Sequence, residues 1–181
     1  MPNKYSPTEF VKTAYSLFMT KVFFHSARLI RRPIYIRGRK SMVGGKGLTT
    51  GRFCRFDLEG QKKTLIIGDD CEFGDLTHIV AYDRVEIGKN VLIASKCFIS
   101  DTNHGDLNIN DTGYLDTPPN KRPLTTKPTK IGNNVWIGEN AVILAGSVIG
   151  DGCIVGANSL VSSVIPPYSK VVGVNRVLNN E

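Results

Sequence analysis

The chain has 181 residues, 41% of them hydrophobic and 22% charged, which suits one domain with a sizeable core and argues against wholesale disorder. Its formal charge of +7 favours polyanionic partners such as a nucleotide cofactor, a phosphate-linked substrate or an acidic membrane surface. No apolar run is long enough to span a bilayer and no signal-peptide cleavage pattern is present, so a cytoplasmic protein is expected, with peripheral contact at the inner face of the membrane left open.

The first element is a helix. Ser6 stands as N-cap, Pro7 at the first helical position and Glu9 three residues after the cap, the pattern of a capping box. The helix is expected to run to about Arg32 and to end at Pro33, with residues 1–33 as an N-terminal amphipathic element. Phe10, Ala14, Leu17, Phe18 and Val22 form an apolar stripe, while Lys12, Lys21, Arg28, Arg31 and Arg32 supply cations. Two readings stay open: the stripe packs on the body or a neighbouring subunit, or it rests on an anionic membrane. His25 falls on this element and reads as an interfacial or solvated residue.

Residues 34–178 form the main domain. Gly38, Gly44, Gly45, Gly47 and Gly51 interrupt short apolar segments up to Gln61, a stretch read as irregular first coils. From Ile67 a six-residue period takes over: Ile67, Phe73 and Ile79 open successive hexads, and after a two-residue slip Ile87, Ile93 and Ile99 do the same. The pattern returns at Ile131, Ile137, Ile143, Ile149, Val155 and Val161.

Period six matches neither a helix nor a simple alternating strand. It fits a coil with three flat sides and roughly 18 residues per turn, in which the first residue of each hexad points inward and stacks on its equivalents. The second position is usually small, as in Gly68, Gly74, Gly88, Gly132 and Gly138, and is expected to carry the corner torsions that glycine tolerates. The fold expected is all-β: a single-stranded left-handed parallel β-helix with an N-terminal helix and one long loop, residues 105–128, extruded from the coil. A loop of that length is commonly functional.

Cys54, Cys71, Cys97 and Cys153 form no CxxC pair. Cys71, Cys97 and Cys153 share the fifth position of a hexad, which points to reduced, packed thiols rather than disulfides, metal ligands or a nucleophile. No cluster demands a metal, and the scattered cations show no nucleic-acid motif.

With the hexads laid out, the chain resembles the hexapeptide-repeat acyltransferases from about Ile67 to Arg176. The match is to the branch of galactoside, maltose and xenobiotic acetyltransferases and small bacterial polysaccharide O-acetyltransferases. The segment Ile131 to Pro167, IGNNVWIGENAVILAGSVIGDGCIVGANSLVSSVIPP, is similar to that branch's signature almost residue for residue. The resemblance implies a homotrimer, with acetyl-CoA as donor in a groove between neighbouring coils. The short N-terminal region is unlike serine acetyltransferases and bifunctional sugar-nucleotide enzymes.

Acetyl transfer to an alcohol needs a base, and imidazole suits that near neutral pH. His104, in Ser100-Asp101-Thr102-Asn103-His104-Gly105, resembles the family's active-site Asn-His segment and is expected to be the base. Asp101 and Asn103 are expected either to orient it or bind the acceptor, or to serve as turn residues. His78 is expected on the coil surface, with a place in the acceptor pocket left open. Galactoside-type relatives carry further histidines beyond this point; this chain has none after His104.

For the cofactor, the resemblance points to Trp136 beside the groove, Glu139 after it, Ala157 against the pantetheine arm, and Ser162. Arg176 is then expected at the CoA phosphates, with Lys170 as a substitute. The segment Gly173-Val174-Asn175-Arg176 lacks the family's proline. The expected activity is O-acetylation of a sugar hydroxyl in bacterial surface polysaccharide, on an acceptor that is free, lipid-linked or nucleotide-linked. The alternatives are N-acetylation of an amino sugar nucleotide or small molecule, and a silent β-helix scaffold.

Overall fold

The computed structural model describes residues 5–105 and 116–178. The body is a three-faced parallel β-helix. The first face stacks Leu29 on Thr49, Glu72, Leu92, Trp136, Ile154 and Lys170 in turn. The second stacks Tyr35, Arg55, His78, Phe98, Val142 and Leu160. The third stacks Val43, Ile66, Glu86, Lys130, Val148 and Val164. At the C-terminal end, Arg176–Leu178 folds back antiparallel on Lys170–Val172.

Each of these outward columns has an inward neighbour, as strand alternation requires. The hexad-opening residues all point in: Ile79, Ile93, Ile99, Ile137, Ile143, Val155 and Val161 are fully buried. Burying such a side chain contributes roughly 1.5–3 kcal/mol, and the stack runs unbroken from Ile30 to Val171.

The corners differ from the expectation in one respect. The second-position glycines Gly68, Gly74, Gly88, Gly132 and Gly138 are not among the residues with positive φ. They are small because coils stack tightly there: a Cβ on Gly88 would sit 2.6 Å from the carbonyl carbon of Gly132. The left-handed residue lies two positions later, at Asn90, Asn134, Asn140 and Asn158, with φ of 55°, 54°, 59° and 57°. Asparagine is enriched in that region, and these side chains also pair between coils, Asn90 to Asn134 and Asn140 to Asn158.

The helix is shorter than expected. It spans Pro7–Phe23 with the Ser6–Glu9 capping box in place. It stops well before Pro33 because the amides of Arg28, Leu29 and Arg31 are taken by the carbonyls of Leu48 and Thr50. The first coil therefore starts at Leu29, inside the segment assigned to the helix, and Ile34–Gln61 is in register with the later coils. Its extra residues are confined to the corners at Gly38–Ser41 and Glu59–Thr64, between the second and third faces.

The helix closes the open end of the coil with its polar side. Strand Leu29–Ile30 is an edge, and its downward amides need partners. Thr20 Oγ1 accepts the Ile30 amide at 2.8 Å and Ser16 Oγ accepts the Arg32 amide at 3.1 Å. The spacing fits: four helical residues rise about 6 Å and two strand residues about 6.6 Å. Ser16 and Thr20 are accordingly buried. The apolar stripe faces the other way and does not pack on the body of this chain: Phe10 is 66% and Phe18 65% exposed.

Candidate active site

A hairpin interrupts the coil at the corner between the second and third faces, after strand Phe98–Ser100 and before Thr129–Ile131. Its stem pairs Thr102 with Thr126, Asn103 with Thr125 and His104 with Leu124, antiparallel. The excursion thus leaves the coil at Asp101, earlier than the expected start at Gly105. Residues 106–115 of the expected loop lie outside the described residues.

Asp101 anchors the stem. Its side chain is fully buried, and its two oxygens accept the amides of Tyr82 at 3.0 and 3.1 Å, Asp83 at 2.7 Å and Arg84 at 2.7 Å. The Lys127 amide donates to its carbonyl at 2.8 Å. Asp101 therefore clamps the corner of the preceding coil to both ends of the hairpin; buried there, it is not a contact for an incoming acceptor. Ser100 Oγ accepts the Thr102 amide at 2.9 Å, and Thr125 Oγ1 donates to the Gly105 carbonyl at 2.8 Å. On this stem Asn103 is half-buried and His104 is exposed.

Ser162 sits at the same corner two coils further on, at the exit of strand Leu160–Val161, about 10 Å along the coil axis from the hairpin's root. Asn175 brackets it: the Ser162 amide donates to Asn175 Oδ1 at 2.7 Å and Asn175 Nδ2 donates to Ser162 Oγ at 2.8 Å. With Oγ accepting from Asn175, the Ser162 hydroxyl proton is left to donate. Asn175 stands at φ 52°, a value closed to proline.

The other expected cofactor residues lie across the second face from this corner. Trp136 projects from the first face, half exposed, between Leu92 and Ile154, with Lys170 one coil beyond Ile154. Glu139 and Ala157 occupy the corner between the first and second faces on successive coils, joined by the Asn158 amide on the Glu139 carbonyl at 2.9 Å. Glu139 also pairs with Lys96 at 3.1 Å. Arg176 is exposed on the terminal antiparallel strand. One chain thus places His104 and Ser162 at one corner, and Trp136, Glu139, Ala157 and Lys170 around another.

The remaining histidines lie away from this corner. His25 lies beyond the helix rather than on it, its Nδ1 2.9 Å from the Lys21 carbonyl. His78 is half-buried on the second face, edge-on to Phe98 with centroids 5.3 Å apart, and its Nε2 is 3.1 Å from Asp57 Oδ2. Burial pushes the Asp57 carboxyl up, but hydrogen bonds from Arg55 and His78 outweigh it and hold the group below its ordinary value. This pairing was hidden because Asp57 belongs to coils whose register the sequence left uncertain.

All four cysteines are buried and free. Their thiols face carbonyls of the next coil, as with Cys97 on Gly138 at 3.1 Å, and burial pushes Cys54 up to about 11. A thiolate nucleophile is ruled out by this geometry. Two concavities of the single chain lie near its N-terminal end: one of about 610 Å³ is lined by Tyr15, Arg32, Arg52 and Phe53, and one of about 700 Å³ by Tyr35, Arg37, Phe53 and Arg55.

A three-faced coil built of repeating hexads defines the hexapeptide-repeat class of protein. The family model for bacterial transferase hexapeptide (six repeats) matches residues 128–163. WbbJ of Escherichia coli K12, named by inference as a lipopolysaccharide biosynthesis O-acetyl transferase, is 37% identical over 175 residues, covering 96% of this chain and 89% of WbbJ. A Vibrio cholerae hexapeptide-repeat acetyltransferase solved with acetyl coenzyme A is 28% identical, with a TM-score of 0.61 over 79% of this chain and 73% of that one. The N-acyltransferase AntD from Bacillus cereus, solved with dTDP and 3-hydroxybutyryl-CoA, has a TM-score of 0.71 at 22% identity over 100% of this chain and 90% of AntD; it shares the fold. The chain belongs to the hexapeptide-repeat acetyltransferases, which are acyl-CoA-dependent enzymes.

Proposed function

We propose that this protein transfers acetyl from acetyl-CoA to a sugar hydroxyl of a bacterial surface polysaccharide or its precursor, with His104 as general base. The observation that carries the reading is the clamp on the hairpin: Asp101 fixes the stem so that an exposed His104 stands at the corner it shares with Ser162. The likeness to WbbJ along nearly the whole chain favours oxygen over nitrogen as the acetylated atom.

In this mechanism the imidazole of His104 takes the acceptor's hydroxyl proton as the oxygen bonds to the thioester carbonyl carbon. Negative charge gathers on the carbonyl oxygen and calls for a hydrogen-bond donor in the groove; the Ser162 hydroxyl, held by Asn175, is a candidate to meet the bound donor. The C–S bond then breaks, and the CoA thiolate recovers the proton from the imidazolium. Positioning of the two substrates supplies much of the remaining rate.

For the donor, Trp136 offers a flat apolar ring, Ala157 a small side chain against the pantetheine arm, and Lys170 and Arg176 cations for the phosphates. Glu139, paired with Lys96, borders the same groove. These residues lie across the second face from His104, so a complete site draws on two chains, and a homotrimer with the groove between neighbouring coils satisfies that requirement.

The test is acetyl-CoA consumption, read as CoA release, over a panel of neutral glycans, sugar nucleotides and amino sugars, with mass spectrometry of the product. Acetyl esters on sugar hydroxyls are expected. Amides formed on amino sugars in preference to esters would replace this reading with N-acetylation, and failure to bind acetyl-CoA would leave only a scaffold.

A further inference from the structure

The N-terminal helix is built inside out for a chain that stands alone in water. Its hydroxyl side, Ser16 and Thr20, is buried against the coil, while Phe10, Val11, Phe18 and Val22 face solvent, between 46% and 66% exposed. The spacing of Phe10, Ala14 and Phe18, with Val11 and Val22 beside them, makes this one continuous outward stripe. Tyr5 and Tyr15 border it, also exposed. An apolar face of this kind marks an interaction surface.

Charge says what the surface meets. Between Tyr5 and Phe56 the sequence holds eleven Lys and Arg against a single carboxylate, Glu9. From Asp57 to the end it holds eleven Lys and Arg against fifteen Asp and Glu. With Lys4 added, the formal charge of +7 is therefore the sum of a strongly basic end and a mildly acidic remainder. The basic end is the one the helix closes: Lys21 on the helix and Lys40 on the first coil are exposed, and Arg39 stacks on Phe24 at 4.3 Å just after the helix. Among the described residues no helix is long and apolar enough to cross a membrane, so the stripe is suited to lying on a bilayer, not spanning it.

We propose that this end of the protein docks on an anionic lipid bilayer, the helix lying in the interface with Phe10 and Phe18 inserted and the surrounding lysines and arginines over the headgroups. Apolar insertion and basic attraction act together in such anchors. The coil axis then stands away from the surface, and a trimer of side-by-side coils sets three such ends on one plane, where binding at one strengthens the others. The inference rests on the helix and the charge distribution alone and is independent of the acceptor.

The experiment is co-sedimentation of the full chain with vesicles of phosphatidylcholine, with and without an equal part of phosphatidylglycerol. It compares wild type, Phe10→Gln/Phe18→Gln and Lys21→Glu/Lys40→Glu, with sedimentation velocity of each protein in vesicle-free buffer. These side chains point outward, so melting temperatures should match wild type. Docking predicts binding to the anionic vesicles only, a fall in partition coefficient of tenfold or more in both variants, and weakening by salt. No binding to anionic vesicles, or equal binding to neutral ones, overturns it. So does a smaller assembly formed by the phenylalanine variant, which would assign the stripe to a contact between copies of this chain.

Discussion

The Asp101 carboxylate accepts the Arg84 amide at 2.7 Å, so the foot of the hairpin that carries His104 is tied to the corner of the coil beneath it. Tyr82 and Asp83 donate to the same carboxylate, so three backbone amides of that corner depend on one buried side chain. Asp101→Ala is expected to lower stability by about 2–4 kcal/mol and the melting temperature by about 5–15 °C. An unchanged melting temperature would remove Asp101 from the structural role given to it here.

The end cap makes a second prediction. Thr20→Val keeps the shape of the side chain and deletes the acceptor for the Ile30 amide, leaving a buried N–H without a partner at a cost of about 1–3 kcal/mol. Chemical denaturation of the purified variant reads this as a lower midpoint with an unchanged slope. Hydrogen exchange at the Ile30 amide should accelerate in parallel; unchanged protection there would contradict the cap.

What the sequence made legible follows from where periodicity reaches. The inward stack of Ile79, Ile99, Ile143 and Val161 was visible because each hexad repeats one environment. The same logic put Cys71, Cys97 and Cys153 in the interior. The hairpin was legible as a break in the period, and His104 as the imidazole beside it. What stayed hidden depends on contacts between residues far apart in the chain. Asp101 read either as a partner of the imidazole or the acceptor or as a turn residue, and its role as a clamp emerges only when the coil brings Tyr82 to Arg84 onto it. Asp57 could not be set against His78 while the register of the early coils was open. The stripe of Phe10 and Phe18 left packing and membrane contact both open, since nothing in a helical pattern tells that Ser16 and Thr20, not the stripe, meet this chain's own coil. The glycine corners were placed correctly but for the wrong cause: close stacking, with Asn90 and Asn134 carrying the left-handed torsion.

Burial of the four thiols predicts silence toward thiol reagents. Ellman's reagent at pH 8 should detect essentially no free thiol in the folded protein, because Cys54 is pushed up to about 11 and Cys71 and Cys97 are also raised by burial, while reagent has no path to any of the four. In guanidinium all four should react. Fast reaction of one thiol in the native state would reopen cysteine chemistry.

Division of the site between chains is tested by mixing. Ala157→Trp fills the expected pantetheine path, and His104→Ala removes the base; each alone is expected to be inactive as a homotrimer. Co-refolded mixtures should regain activity, because an intact His104 from one chain meets an intact Ala157 from the next. No recovery on mixing would place the donor and the base on one chain.

The most direct measurement is the rate of acceptor-dependent CoA release by His104→Ala against wild type at saturating acetyl-CoA. The account predicts a fall in kcat of roughly 10²–10⁴-fold, an unchanged melting temperature and nearly unchanged acetyl-CoA binding, since the imidazole is exposed and acts on the acceptor's proton. A variant that keeps wild-type turnover would contradict the assignment of His104 as the base, whatever the acceptor proves to be.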